Sequence, residues 1–215
     1  MKRFAIILSG SGVHDGSEIH EATMSMLAIV QHECAYDCFA PDTNQLQVVN
    51  HLTRKVTDEN RNVLVESARI ARGDIRSLDL FNAEDYDALI FPGGSGITKN
   101  FSNYALKGDQ CEVNPKISSV ILEMHRLGKP IGAMCIAPVI IAKVLSNVTL
   151  TIGNDEKTAT DIANMGATHV NTSYGEVIAD KKNKVFTTPC YMLDSNILDI
   201  YDGAFNLIKS ILENI

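Results

Sequence analysis

The sequence predicts an α/β fold, a doubly wound and mostly parallel sheet with helices on both faces, and three observations carry that expectation. Short apolar runs alternate with stretches of helical period along the whole chain. The runs lack polar alternation, as in strands covered on both sides. Glycine, proline and capping residues fall between them, where elements must start and stop.

Residues 4–8 (Phe4-Ala5-Ile6-Ile7-Leu8) are read as the first strand, ending at Gly10-Ser11-Gly12. A longer apolar region and a small-residue cleavage site would be needed for a signal peptide. A helix over 18–31 follows, with Ile19, Ala22, Met26, Ile29 and Val30 in helical spacing, then a strand over 34–40 closed by Pro41-Asp42. Residues 46–55 are ambiguous, with a short strand at Val48-Val49. Asp58 is the expected cap of a helix to Arg72, which Gly73 stops. A buried strand over 87–91 ends in Pro92-Gly93-Gly94-Ser95-Gly96. Asn114-Pro115 opens a helix to Leu127, with Gly128 as its stop. A strand over 130–134, a helix over 136–145, a short strand over 149–152 and a helix over 155–165 come next, and His169 is expected to open a strand. Segments 176–180 and 184–187 read as a hairpin. Asp194 or Ser195 is expected to cap a last helix bearing Ile197, Leu198, Tyr201, Phe205, Ile208 and Leu212.

With 215 residues, 45% of them hydrophobic, the chain has material for one domain over 1–215. Its formal charge, 19 − 26 = −7, offers no general attraction to nucleic acid or an anionic membrane. The longest apolar stretch, near 139–144, is too short to span a bilayer and contains Lys143. Five irregularly spaced cysteines with no C-x-x-C pair indicate reduced thiols and a cytoplasmic location.

Ligand sites in such sheets lie beyond the carboxyl ends of the strands, which directs attention to residues 9–18, 92–96 and 135–138. Cys135 stands where a strand gives way to Ile136-Ala137-Pro138, and Pro138 suits a first helical turn. Such an elbow projects a nucleophile into a cleft. The helix N-terminus is expected to lower the thiol pKa, and the N–H of Ile136 to face an oxyanion. A packed core cysteine is the alternative. Gly93 and Gly94 are expected to bring further amides to the same place.

The first loop has the spacing G-x-G-x-x-x-G, and Asp15 and Glu18 put negative charge where a dinucleotide's pyrophosphate would sit, so no nucleotide cofactor is expected. Glu18 is expected either to face Cys135 as a proton-carrying carboxyl or to serve only in the first helical turn. His14 and His20 lie near this cleft; His32, His51, His125 and His169 carry no spacing that places them beside Cys135. No histidine pair has metal-ligand spacing, and no metal is expected. Cys34 and Cys38 are expected to pack on one strand face, and Cys111 and Cys190 receive no role.

Several strings stand in the order found in one known family: Ile7-Leu8-Ser9-Gly10, Asp15-Gly16-Ser17-Glu18-Ile19-His20-Glu21-Ala22, Phe91-Pro92-Gly93-Gly94, Gly132-Ala133-Met134-Cys135-Ile136-Ala137-Pro138, Leu150-Thr151-Ile152-Gly153 and Thr187-Thr188-Pro189-Cys190-Tyr191-Met192. On these the chain resembles the ElbB family, the enhancing-lycopene-biosynthesis or sigma cross-reacting proteins. That family lies within the PfpI-like, class I glutamine amidotransferase-like superfamily. The resemblance implies a flavodoxin-like fold, a homodimer and glutathione-independent glyoxalase activity. It marks Cys135 as nucleophile and Glu18 as its carboxyl partner, with Glu21 as the alternative. Where many superfamily members carry a histidine, this chain has Ile152-Gly153-Asn154-Asp155, leaving His14, His20 or Asp155 as substitutes. Ala137 stands where glutaminases have glycine, and no histidine follows His169, which argues against an ammonia-producing glutaminase.

The leading expectation is conversion of small 2-oxoaldehydes to 2-hydroxy acids. Cys135 would attack, Gly93, Gly94 and Ile136 would donate to the oxyanion, and Glu18 would shuttle a proton, with no cofactor. The alternatives are a redox-responsive regulator built on Cys135 oxidation and a binding protein of isoprenoid metabolism.

Overall fold

Alternation along the first strand divides the molecule into two helical layers. In β1 (Arg3–Ile7), Phe4 and Ile6 turn to one face and Ala5 and Ile7 to the other, and all four are fully buried. The structure, a computed structural model, describes residues 1–215. After β1 come α1 (Ile19–Gln31), β2 (Ala35–Ala40), β3 (Val48–Asn50), β4 (Lys55–Thr57), α2 (Val63–Ile70), β5 (Ile75–Ser77) and β6 (Ala88–Phe91). The chain continues through α3 (Ser95–Lys99), α4 (Tyr104–Lys107), α5 (Pro115–Arg126), β7 (Ile131–Met134), α6 (Pro138–Leu145) and β8 (Thr149–Leu150). It ends with α7 (Glu156–Asn164), β9 (Thr168–His169), β10 (Ile178–Asp180), β11 (Val185–Thr188) and α8 (Ile197–Leu212).

The central sheet has seven strands in the order β10-β11-β7-β6-β1-β2-β5. Every neighbouring pair is parallel except β10 with β11, the expected hairpin. One face packs Phe4, Ile6, Ile90, Met134 and Phe186 against α1 and α8. The other packs Ala5, Ile7, Leu89, Phe91, Ile131 and Val185 against α5 and α6. Each large apolar side chain buried this way contributes about 1.5–3 kcal/mol, which holds both layers on the sheet. A side chain on Gly132 would meet Ile90 and Ile211 at 2.7 and 2.9 Å, so α8 sits directly on the β7 backbone there.

From β1 the chain winds outward to β2 and β5, then restarts on the other side with β6, β7 and β11. The winding reverses between β1 and β6, and the carboxyl ends of β1, β6, β7 and β11 meet beside that reversal, where α/β sheets open their binding crevice.

Several boundaries differ from the sequence reading. Asp58 caps nothing: β4 ends at Thr57, and α2 begins after Asn62, whose side chain accepts from Val65 N. Neither Asp194 nor Ser195 caps α8; Asn196 does, in a reciprocal box with Asp199. β8 pairs with β9 in a separate two-stranded ribbon, and His169 closes β9 rather than opening it. The glycine-rich turn after β6 runs into α3, and β5 forms the sheet edge with no buried residue to mark it.

Replacing Asn196 by Ala removes acceptors for Leu198 N and Asp199 N. We expect a loss of about 1 kcal/mol, read as a lower urea midpoint with an unchanged slope.

Candidate functional site

Cys135 follows β7 directly and adopts φ 56°, the left-handed region that a side chain enters only against steric cost. The surrounding bonds hold it there. Its N–H donates to Thr188 O of neighbouring β11 (3.0 Å), and Ala137 N donates to Met134 O (2.9 Å), closing the turn into α6. The result is the expected strand-to-helix elbow, with Cys135 only 7% exposed.

Glu21 provides the carboxyl group against that sulfur. It is fully buried on α1, where its Oε2 accepts from Gly93 N (2.8 Å) and its Oε1 from Tyr191 N (3.3 Å), and it hydrogen-bonds Cys135. This corrects the assignment of Glu18. Glu18 sits one helical turn earlier as the N-cap of α1, its Oε2 accepting from Glu21 N at 2.7 Å. The alternative carboxyl, Glu21, is the one the fold delivers.

The glycines act differently from expectation too. The N–H of Gly93 is taken by Glu21, so it is not free for an oxyanion. Its lack of a side chain is what matters: a Cβ there would lie 2.5 Å from Cys135 Cβ and 2.6 Å from Glu21 Oε2. Gly94, at φ 99°, and Ile136 are the two residues whose amides donate toward the sulfur. A Cβ on Gly94 would strike Glu18 N and Gly16 O, both at 2.4 Å. The diglycine turn thereby lets the start of α1 dock on the end of β6, fastened by Glu18 N donating to Gly93 O (2.9 Å).

The electrostatics reverse one expectation. Burial, and next the negative charge of Glu18, push the Glu21 carboxyl up to about 8, against the pull of the Tyr191 and Gly93 amides. Burial and the Glu21 charge likewise push the Cys135 thiol up, outweighing the amides of Ile136 and Gly94. The helix terminus alone does not make a thiolate at neutral pH, because the sulfur is desolvated beside an acid. Cys135 and Glu21 titrate as a pair: both protons stay on at neutral pH, and the first leaves as pH rises through about 8.

The auxiliary candidates lie elsewhere. His14 donates its N–H to His51 Nε2 (3.2 Å) and accepts at its carbonyl from Lys99, so its bonds go to the β3–β4 hairpin and α3. Asp155 caps α7, accepting from Thr158 N at 2.8 Å. Neither has a bond to the Cys135 group. His20 stands at the rim, its Nδ1 2.7 Å from the Tyr191 hydroxyl. Tyr191 went unassigned in the sequence, although its Thr-Thr-Pro-Cys-Tyr string follows the strand beside β7, the signal that would have placed it here. Its neighbour Cys190 is a fully buried thiol that burial pushes up.

The pair predicts the pH course of reactivity. Iodoacetamide labelling of Cys135 should be slow at about pH 6 and still slow at about 8.5, where a free thiol is half ionised, because burial and the Glu21 charge push this thiol up. A rate already maximal at about pH 6 would mean a free thiolate and contradict the pairing.

No family model matches the chain. It is 42% identical over 221 residues to the human "Glutamine amidotransferase-like class 1 domain-containing protein 3, mitochondrial", an alignment covering 98% of this chain and 82% of that protein. It is 33% identical over 227 residues to "ES1 protein, mitochondrial" of Danio rerio, covering 97% and 84%. Among solved structures it resembles an isoprenoid biosynthesis protein with amidotransferase-like domain from Ehrlichia chaffeensis, with a TM-score of 0.93 and 37% identity over 100% and 99% of the two chains. A DJ-1 superfamily protein from Salmonella typhimurium shares the fold, with a TM-score of 0.62 at 16% identity over 100% and 92% of the two chains.

Proposed function

The chain belongs to the glutamine amidotransferase-like class 1 family that includes the ES1 proteins, and from that premise we propose that it is a glutathione-independent glyoxalase of the ElbB type. The reading rests on one observation above all: a buried, proton-holding Glu21 carboxyl in hydrogen-bond contact with the sulfur of an elbow cysteine.

That arrangement suits addition to a small aldehyde. In the singly protonated pair the Glu21 carboxylate takes the Cys135 thiol proton as the sulfur attacks the aldehyde carbon of methylglyoxal, forming the S–C bond while the carbonyl π pair moves to oxygen. Glu21 gives that oxygen its proton, and the product is a hemithioacetal with Glu21 left as carboxylate. The amides of Gly94 and Ile136 face the developing negative charge, an effect worth about 3 kcal/mol per donor. Glu21 then removes the proton from the hemithioacetal carbon and returns it to the adjacent carbon through an enediol, giving a thioester of lactate. Water cleaves that thioester, releasing lactate and the thiol. The net change is addition of one water with no external oxidant or reductant.

A second reading, redox response, is favoured by the same contact, since a carboxyl donor stabilises the oxygens of an oxidised sulfur. Intact mass after mild peroxide, with peptide mapping, should place added oxygen on Cys135; oxygen on Cys111 instead removes this reading.

All five cysteines are free, which suits a reducing compartment. The cytoplasm expected from the sequence and the mitochondrion named for the relatives both fit, and no helix is long and apolar enough to cross a membrane.

Methylglyoxal loss and lactate formation test the glyoxalase reading. Cys135→Ser should leave no turnover above background, and Glu21→Gln should reduce it at least about 100-fold, the usual span of a lost general acid–base. Full turnover in Cys135→Ser defeats the proposal.

A further inference from the structure

We propose that Tyr191, latched by His20, is the gate of the Cys135 site: its ring swings aside to admit small carbonyl compounds and keeps bulky ones from the sulfur.

A carbonyl carbon has to touch a sulfur that is 7% exposed, beside a fully buried acid, so one wall of the site must move. Three walls are fixed. The diglycine turn is locked to the start of α1, since a Cβ on Gly94 would already strike Glu18 N and Gly16 O, and Glu18 N donates to Gly93 O (2.9 Å). The elbow is tied to the sheet by Cys135 N donating to Thr188 O (3.0 Å). Glu21 is part of α1, whose inner face is buried. The remaining wall is segment 189–196 between β11 and α8, which pairs with no strand.

Tyr191 is where that segment meets α1, and consecutive residues of α1 hold its two ends. Its N–H donates to Glu21 Oε1 (3.3 Å), and its hydroxyl lies 2.7 Å from His20 Nδ1. These are the two hydrogen bonds that join segment 189–196 to α1. Glu21 is fully buried and His20 is exposed, so the tyrosine reaches from the acid to the surface. Its ring lies half-buried against the apolar layer under α1 and α8. Rotation about the Cα–Cβ bond carries a ring from one staggered position to another and leaves the backbone where it is. Opening therefore costs the bond to His20 and the packing of the ring, while the Tyr191 amide stays on Glu21 and the acid keeps its place. An opening one aromatic ring wide suits small dicarbonyls and turns away aldehydes with large substituents.

The inference rests on the Cys135–Glu21 site used in the proposed function, not on the identity of the aldehyde. Its test is alkylation of Cys135 at one alkaline pH, read by peptide mapping, with iodoacetamide as the small reagent and N-phenylmaleimide as the bulky one. Tyr191→Phe and His20→Ala each break the latch. The open population, and with it labelling by both reagents, should rise about fivefold in each, as loss of one hydrogen bond of ordinary net strength allows. Both changes remove the same bond, so the double variant should rise no further. Tyr191→Ala removes the gate itself. There the ratio of bulky to small labelling, in which ionisation of the sulfur cancels, should climb toward the ratio measured on glutathione. Unchanged rates in both latch variants overturn the proposal, as does a double variant showing the product of the two effects. An equal rise at Cys111, buried in the other layer, overturns it too, since that marks general loosening. If the unmodified protein fails to consume methylglyoxal, the glyoxalase reading falls, while the labelling rates still decide the role of Tyr191.

Discussion

A single carboxyl group, that of Glu21, joins three parts of the chain that are far apart in sequence. It takes the amide of Gly93 from the turn after β6 and the amide of Tyr191 from the segment after β11, and it touches the sulfur beyond β7. Removing such a group from water costs energy that the hydrogen bonds only partly offset. Its proton is held to about 8 in the folded chain against an ordinary value of 4.5, so the folded state binds more protons across that window. Stability therefore falls as pH rises between those values. A carboxyl kept at such a cost is the mark of a site rather than of a core.

The backbone makes room for this contact by leaving things out. Gly93 and Gly94 have no side chains to hold α1 away from β6, and the fit is closer than any Cβ allows. Cys135 bears the opposite strain, a left-handed conformation without glycine's freedom, and the β11 ladder and the first turn of α6 keep it there. Strain of this kind persists only where neighbouring bonds over-determine it. Here they fix the sulfur where two amides and one acid converge.

The chemistry that follows is proton sharing more than helix-dipole activation. A terminus of α6 with Pro138 in its first turn was reason to expect an open thiolate, but desolvation acts on the same atom and dominates. Cys135 and Glu21 share burial as well as contact, so the loss of either proton leaves a charge that the interior resists. The charged residue Glu18 lies just outside that pair, at the mouth of α1, where the helix terminus tolerates it.

Much of this was legible without coordinates. Residue type and periodicity alone determined the alternating strands and helices, the parallel winding, the elbow at Cys135 and the closeness of the diglycine turn, because apolar runs, caps and strand ends are properties of neighbours in the chain. Choosing between Glu18 and Glu21 needed the tertiary structure. The two stand one helical turn apart and share a face, so local rules treat them alike. Docking of α1 on the β6 turn turns one into a cap and drives the other against the sulfur. Burial decided the rest. The proton affinity of Cys135, the diversion of the Gly93 amide to Glu21 and the arrival of Tyr191 all depend on what packs there from distant segments, and water exclusion by such packing is not encoded in any short stretch of residues.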